Sequence, residues 1–203
     1  MQIPVALLDD SDAQVRSTAR FISGALSRSG RAELPTEAEA IDAALIRRYR
    51  KARDTEDVIE LLGGLGNSVG PQAVAVIKEA LRDDRETVRA AAARALRLAP
   101  GPDVDGLLAA AITSDSHPAV RADAIFAAGF RRPLSPQIGE ALLHVAREDP
   151  IGYVRSNAVT LLRRNAGVVP GIAETLVWIA DHDSKPAIRR LAREGLASLT
   201  DRR

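Results

Sequence analysis

The sequence predicts an all-α protein, an α-solenoid of about six antiparallel helical hairpins, and three observations carry that prediction. A pattern of one Asp and one aliphatic-Arg pair returns at nearly constant spacing. The aliphatic residues after each pair keep a helical period, not a strand period. The apolar residues are mostly Ala, Leu, Val and Ile, with aromatics at only 3% of 203 residues. Small aliphatic side chains of high helix propensity pack closely spaced helices, so a core built around large rings is not expected.

The repeated pattern is an Asp, four variable residues, an aliphatic residue and an Arg. It occurs at Asp10 with Val15-Arg16, Asp83 with Val88-Arg89, Asp115 with Val120-Arg121, Asp149 with Val154-Arg155, and Asp183 with Ile188-Arg189. The last four aliphatic anchors lie 32, 34 and 34 residues apart. Four residues beyond each anchor stands an Ala: Ala19, Ala92, Ala124, Ala158 and Ala192. Leu96, Ala128, Leu162 and Leu196 continue the stripe four residues further on, completing one face of an amphipathic second helix. A weaker copy puts Arg53 in the Asp position and Val58-Ile59 in place of the pair, with Leu62 for the Ala.

Each unit also needs a first helix, and segments 73–81, 104–112, 138–146 and 172–180 fill that place. Pro71, Pro102, Pro136 and Pro170 stand where a first-turn proline is tolerated, and Pro118 and Pro186 fall at the starts of second helices. Thr36 with Glu39 predicts a capping box opening a long helix to about residue 53. Segment 27–35, with its Ser, Gly and Pro residues, reads as an enlarged loop. Leu65-Gly66-Asn67-Ser68 reads as a helix C-cap. The units are then residues 1–30, 36–67, 71–99, 102–131, 135–166 and 170–200 of a single domain spanning 1–203. The first unit looks cut short, and no polar capping repeat follows residue 199, so exposed terminal faces point to a longer chain or self-association.

Charge and composition narrow the function. With 28 Lys and Arg against 27 Asp and Glu, net +1, the chain lacks the basic surplus of a nucleic-acid binder. It has no cysteine, which excludes disulfides, thiolate catalysis and Cys-based zinc sites. No apolar run reaches the roughly 18 residues of a membrane span, and the opening residues carry no basic leader, so a cytoplasmic protein is expected. His117, His144 and His182 show no i, i+4 metal-pair spacing. Gly63, Gly64 and Gly66 lie among leucines without the Lys-Ser/Thr of a phosphate loop. The basic run Arg47, Arg48, Arg50, Lys51 and Arg53 spreads around its helix beside Asp54, Glu56 and Asp57, and reads as a solvated helix end. No catalytic residue, metal or cofactor is expected.

A period near 34 with these Asp and Val-Arg positions resembles HEAT repeats, in particular the short bacterial kind also found in phycobilin lyases, over roughly residues 3–199. The signature positions of tetratricopeptide repeats and the Thr-Pro-Leu-His turn of ankyrin repeats are missing. The resemblance implies a right-handed solenoid in which Asp83, Arg89, Asp115, Arg121, Asp149, Arg155, Asp183 and Arg189 form a structural ladder between hairpins. The di-iron branch of HEAT proteins carries repeated His-Glu dipeptides, and this chain has none. The HEAT-like DNA glycosylases work in a basic groove with aromatic residues, for which one Trp and three Phe leave little material.

The resemblance further implies that the second helices line a binding face. Six residues past the anchors stand Arg94, Phe126, Thr160 and Glu194. The few aromatics gather around two adjacent anchors, giving a predicted partner-binding patch of Phe126, Phe130 and Tyr153 flanked by Arg94, Arg131 and Asn157. The expected function is a non-enzymatic scaffold binding another protein. The alternative that the resemblance supplies is a bilin lyase-like or chaperone role for a tetrapyrrole-carrying partner.

Overall fold

The computed structural model describes residues 5–200 apart from residues 166 and 168. The parts of the predicted first and fifth units at residues 1–4 and 166 therefore lie outside the described residues. The architecture is all-α, with no strand among the described residues, and the chain divides into two compact units, Met1–Ala99 and Pro100–Arg203.

In the first unit a 3-10 turn, Val5–Asp9, precedes α1 (Ala13–Gly30), α2 (Pro35–Lys51), α3 (Thr55–Ser68), α4 (Pro71–Ala80) and α5 (Glu86–Ala95), which ends in a 3-10 turn at Leu96–Leu98. Helices α2/α3 and α4/α5 form hairpins. The second helices α1, α3 and α5 pack side by side, and the first helices α2 and α4 do the same. The second unit contains α6 (Pro102–Ser114), α7 (Pro118–Ala128), α8 (Pro136–Glu148), α9 (Gly152–Arg164), α10 (Ile172–His182) and α11 (Pro186–Thr200). These pair as α6/α7, α8/α9 and α10/α11, again with first helices against first helices and second against second.

The repeated stripe forms the core. Val88, Ala92, Leu96, Val120, Ala124, Ala128, Val154, Ala158, Leu162 and Ala192 are completely buried, and Ile188 nearly so. The first copy differs. Among the described residues only a 3-10 turn precedes α1, and Val15 keeps 39% of its surface and Ile22 48%.

Each repeat loop is closed by the same set of bonds. Asp10, Asp83, Asp115, Asp149 and Asp183 each accept the backbone N–H two residues on, at 2.8–2.9 Å. The Arg six residues later donates back to the same Asp's carbonyl: Arg16, Arg89, Arg121, Arg155 and Arg189, at 2.6–2.9 Å. Within the second unit the Arg fork also reaches forward. Arg121 grips Asp149 through Nε and Nη2 at 2.6 and 2.9 Å, and Arg155 grips Asp183 at 2.7 and 3.0 Å. Arg121–Asp149 and Arg155–Asp183 are two rungs of the expected ladder, and in each one guanidinium closes its own loop and also binds the next hairpin bidentately.

The irregular second unit shows what happens when a rung is missing. Ile59 stands at the Arg position of α3, so α3 has no guanidinium to offer Asp83. Arg85, in Asp83's own loop, supplies it through Nε and Nη2 at 2.9 and 3.0 Å. Arg85 also reaches Thr55 Oγ1 at the start of α3, at 3.3 Å. Arg20 provides a second tie, bonding Asp57 and Glu60 of α3 at 2.6 and 2.8 Å.

Asp183 gives the ladder a pH signature. Burial pushes its carboxyl up, but the Arg155 hydrogen bonds, the Lys185 N–H and the charges of Arg155 and Arg189 outweigh burial and hold it below its ordinary 3.8. A carboxyl with a lower folded than unfolded pKa stabilises the fold above the unfolded value, and that contribution is lost as pH falls through the folded one. The stability gap between wild type and Asp183→Asn should be full at pH 7 and close progressively below about pH 4. Thermal melts at pH 7, 5, 4 and 3 check this, and a gap independent of pH would remove the ion pair as its source.

Five local expectations are corrected. The predicted loop 27–35 shrinks to four residues because α1 continues to Gly30. Ser27 is fully buried, and its hydroxyl donates to Asp42, itself 3% exposed. Asp42 also takes Arg31 Nη2 at 2.7 Å and the Ser68 hydroxyl, so one satisfied buried carboxylate ties α1, α2 and α3 together. The Thr36–Glu39 capping box does not form. Helix α2 starts at Pro35 behind Leu34, which has no side-chain cap, because proline's fixed φ suits N1 and it has no N–H to satisfy. Asp54, not Arg53, opens α3, accepting the Glu56 and Asp57 N–H groups at 2.9 and 3.2 Å. Pro170 lies outside α10, whose N-cap is Gly171 at φ 79°.

The expected C-cap at Leu65-Gly66-Asn67-Ser68 is also wrong, since α3 runs through Ser68 and Val69 takes the left-handed conformation at φ 50°. The glycines serve helix packing instead. A Cβ on Gly24 would sit 1.9 Å from the Gly64 carbonyl oxygen, and one on Gly66 would sit 2.6 Å from that of Ala95. Backbone thus meets backbone where α3 crosses α1 and α5.

Candidate partner-binding groove

On α7 the buried stripe Val120, Ala124, Ala128 turns one face inward, and the 3.6-residue period sends Phe126 to the opposite side. Phe126 is 43% exposed, and Phe130, in the turn just after α7, is 48% exposed. Their rings meet edge to face with centroids 5.3 Å apart. This geometry favours aromatic pairs and holds both rings in place without burying them. The two phenylalanines do not fill the space between hairpins.

Helix α9 supplies the facing wall in the same register. Thr160 corresponds to Phe126, Arg164 corresponds to Phe130, and Asn157 stands one turn before Thr160. Between the two helices lies a groove of about 590 Å³. Buried Ile125 and Leu161 form its floor, Phe126 and Phe130 one wall, and Asn157, Thr160 and Arg164 the other. Gly129 sits beside Leu161, where a Cβ would come within 3.1 Å of the Phe126 carbonyl oxygen. Thr160 is committed to its own helix through Ser156 O at 2.8 Å. Asn157 is exposed and its side chain makes no hydrogen bond among the described residues, so its amide can offer both a donor and an acceptor.

The six residues of the predicted patch do not all come together. Phe126, Phe130 and Asn157 line the groove. Arg131 faces α6 instead, where its Nε holds Asp105 at 2.6 Å with both side chains largely buried. The adjacent Arg132 takes its place in the groove. Tyr153 is 49% exposed in the first turn of α9 and does not line the groove. Arg94 lies exposed on α5 in the other unit. Sequence reasoning missed Arg132 and Arg164. Arg164 was within reach, because it stands ten residues past its anchor as Phe130 does.

Elsewhere the titratable groups serve structure. His182 bonds the Trp178 carbonyl through Nδ1 at 2.9 Å and stacks on its ring, which Arg147 covers from 4.6 Å. In the basic run, Arg48 is paired with Asp9 at 2.6 Å, and Arg50 and Lys51 stand in the last turn of α2, where cations complement the helix dipole. Among the described residues no group of three or more His, Cys, Asp or Glu is placed to hold a metal ion, and no helix is long and apolar enough to cross a membrane.

Comparison with known proteins agrees with the helical-repeat fold. The sequence model of HEAT repeats matches residues 43–129, from within α2 to just past α7, so the resemblance to HEAT repeats holds over that stretch. No curated protein matches the sequence. Three solved structures share the fold along almost all of the chain. One is an engineered protein, 19% identical, covering 97% of this chain and 95% of its own, with a TM-score of 0.55. Another is a designed armadillo repeat protein in complex with the peptide (KR)4, 15% identical over 96% of this chain and 97% of that one, TM-score 0.58. A third is a computationally designed armadillo repeat protein for modular peptide recognition, 15% identical over 96% and 97%, TM-score 0.51. At these identities the likeness is one of fold, that of helical-repeat solenoid proteins.

Proposed function

We propose that the chain is a non-enzymatic scaffold that binds an extended segment of a partner protein in the α7/α9 groove. One observation carries the reading: an exposed, mutually packed aromatic pair faces an uncommitted asparagine across a groove built on regular helices. Aromatic anchors on a rigid floor lose little entropy on binding, and an Asn amide can match the N–H and C=O of a peptide backbone. Two proteins of the same fold are a designed armadillo repeat protein in complex with a peptide and designed armadillo repeats for modular peptide recognition, which supports the same use here.

Peptides selected by wild type from a displayed random library test this. A Phe126→Ala/Asn157→Ala double variant should bind them at least about tenfold more weakly, because central aromatic contacts carry most of the energy of such interfaces. Its melting temperature should change by only a few degrees, since both side chains are exposed. Unchanged peptide affinity alongside a large loss of stability would reduce the two residues to packing and end the proposal.

A further inference from the structure

We infer that the occupant of this groove is an acidic segment, with carboxylates alternating with apolar side chains. The inference rests on the groove reading above and adds the chemistry of the ligand. Both charged side chains that line the groove are arginines, Arg132 and Arg164, and no carboxylate lines it. The chain as a whole is balanced at net +1, so this excess is local.

Neighbouring arginines are neutralised by partners within the fold. Arg131 holds Asp105 at 2.6 Å, Arg121 holds Asp149 at 2.6 Å, and Arg163 reaches Glu194 at 3.4 Å. Arg132 and Arg164 have no carboxylate partner among the described residues. Among the described residues the Arg132 guanidinium hydrogen-bonds only the Arg131 carbonyl, at 3.2 Å. Two exposed guanidinium forks beside an apolar floor therefore present unfilled bidentate carboxylate sites.

An extended chain sends successive side chains to opposite sides. A segment held through its backbone by Asn157 can thus direct apolar side chains toward Phe126 and Leu161 and acidic ones toward the arginines. A basic segment would leave both forks facing like charge.

Fluorescein-labelled (Glu-Leu)3 and (Lys-Leu)3 peptides, titrated by anisotropy at low and moderate salt, test the inference. Wild type should prefer (Glu-Leu)3 by about tenfold or more, with the preference shrinking as salt rises. Arg132→Glu/Arg164→Glu should invert the preference, and the milder Arg164→Gln should weaken (Glu-Leu)3 binding several-fold. Both positions are exposed, and circular dichroism melts verify that the variants fold. Equal binding of the two peptides, a preference for (Lys-Leu)3, or a preference that survives the double reversal overturns the inference. Tighter binding of labelled (dT)6 through the same two arginines also overturns it and gives the groove to nucleic acid. The two readings fail separately. If library-selected peptides need Phe126 and Asn157 but show no acidic enrichment, only the acidic assignment falls; if they ignore Phe126 and Asn157, the groove itself falls.

Discussion

Arg155→Ala should lower the stability of the second unit by about 3–5 kcal/mol, the usual cost of removing one partner from a buried ion pair. Arg155 is 7% exposed and Asp183 is 6% exposed. Truncation removes both fork bonds to Asp183 and the bond from Nη1 to Asp149 O at 2.8 Å. Among the described residues the Asp183 carboxylate then stays buried with only the Lys185 N–H at 2.8 Å. Arg189→Ala is the internal comparison. Arg189 closes the same kind of loop onto Asp183 O at 2.6 Å but is only half-buried, and no hairpin follows it among the described residues. Its loss should cost about 1 kcal/mol, the net value of an ordinary hydrogen bond. Guanidinium titrations followed at 222 nm would separate the two. Equal losses would mean that the loop-closing bond, not the rung between hairpins, carries the stability.

The adjacent glycines of α3 should respond in opposite directions. Gly63→Ala should stabilise the protein by about 0.5–1 kcal/mol, because Ala is the better helix former and nothing lies within 4 Å of the added Cβ. Gly64→Ala receives the same propensity gain, but its Cβ would sit 2.7 Å from the Arg20 carbonyl oxygen. That oxygen belongs to a helix backbone and cannot swing aside. The strain of overpacking, about 1–3 kcal/mol or more, exceeds the propensity gain, so the net effect is destabilising. Gly24→Ala, with a 1.9 Å approach to Gly64 O, should be the more damaging. Melting temperatures of the three variants decide the matter, and a stabilised Gly64→Ala would show that α1 and α3 can move apart at little cost.

The groove was partly legible before the fold was known. Phe126 and Asn157 lie six and three residues past their buried anchors, and an offset along a helix translates directly into a direction around it; Phe130, beyond the end of α7, is singled out only as an aromatic beside them. Arg131 and Tyr153, which belong to the predicted patch, do not line the groove. Arg131 follows the end of α7, where helical phase no longer says which way a side chain turns, and Asp105 of α6 captures it. Tyr153 has an outward phase but stands at the wrong height along α9 to line the groove.

The sequence by itself determined the helical hairpins, their spacing and the anchors that are buried from Val88 onward. These depend on residues close together in the chain, and helix geometry turns such spacings into structure without further information. Tertiary structure decided the rest. It set the full length of α1 and α3, the Ser27–Asp42–Ser68 cluster, the substitution of Arg85 for the guanidinium missing at Ile59, and the backbone contacts made by Gly24, Gly64 and Gly66. Each of these turns on what lies opposite a residue on a neighbouring helix. A glycine in a helix reads as a defect until the carbonyl 1.9 Å from its absent Cβ is in view.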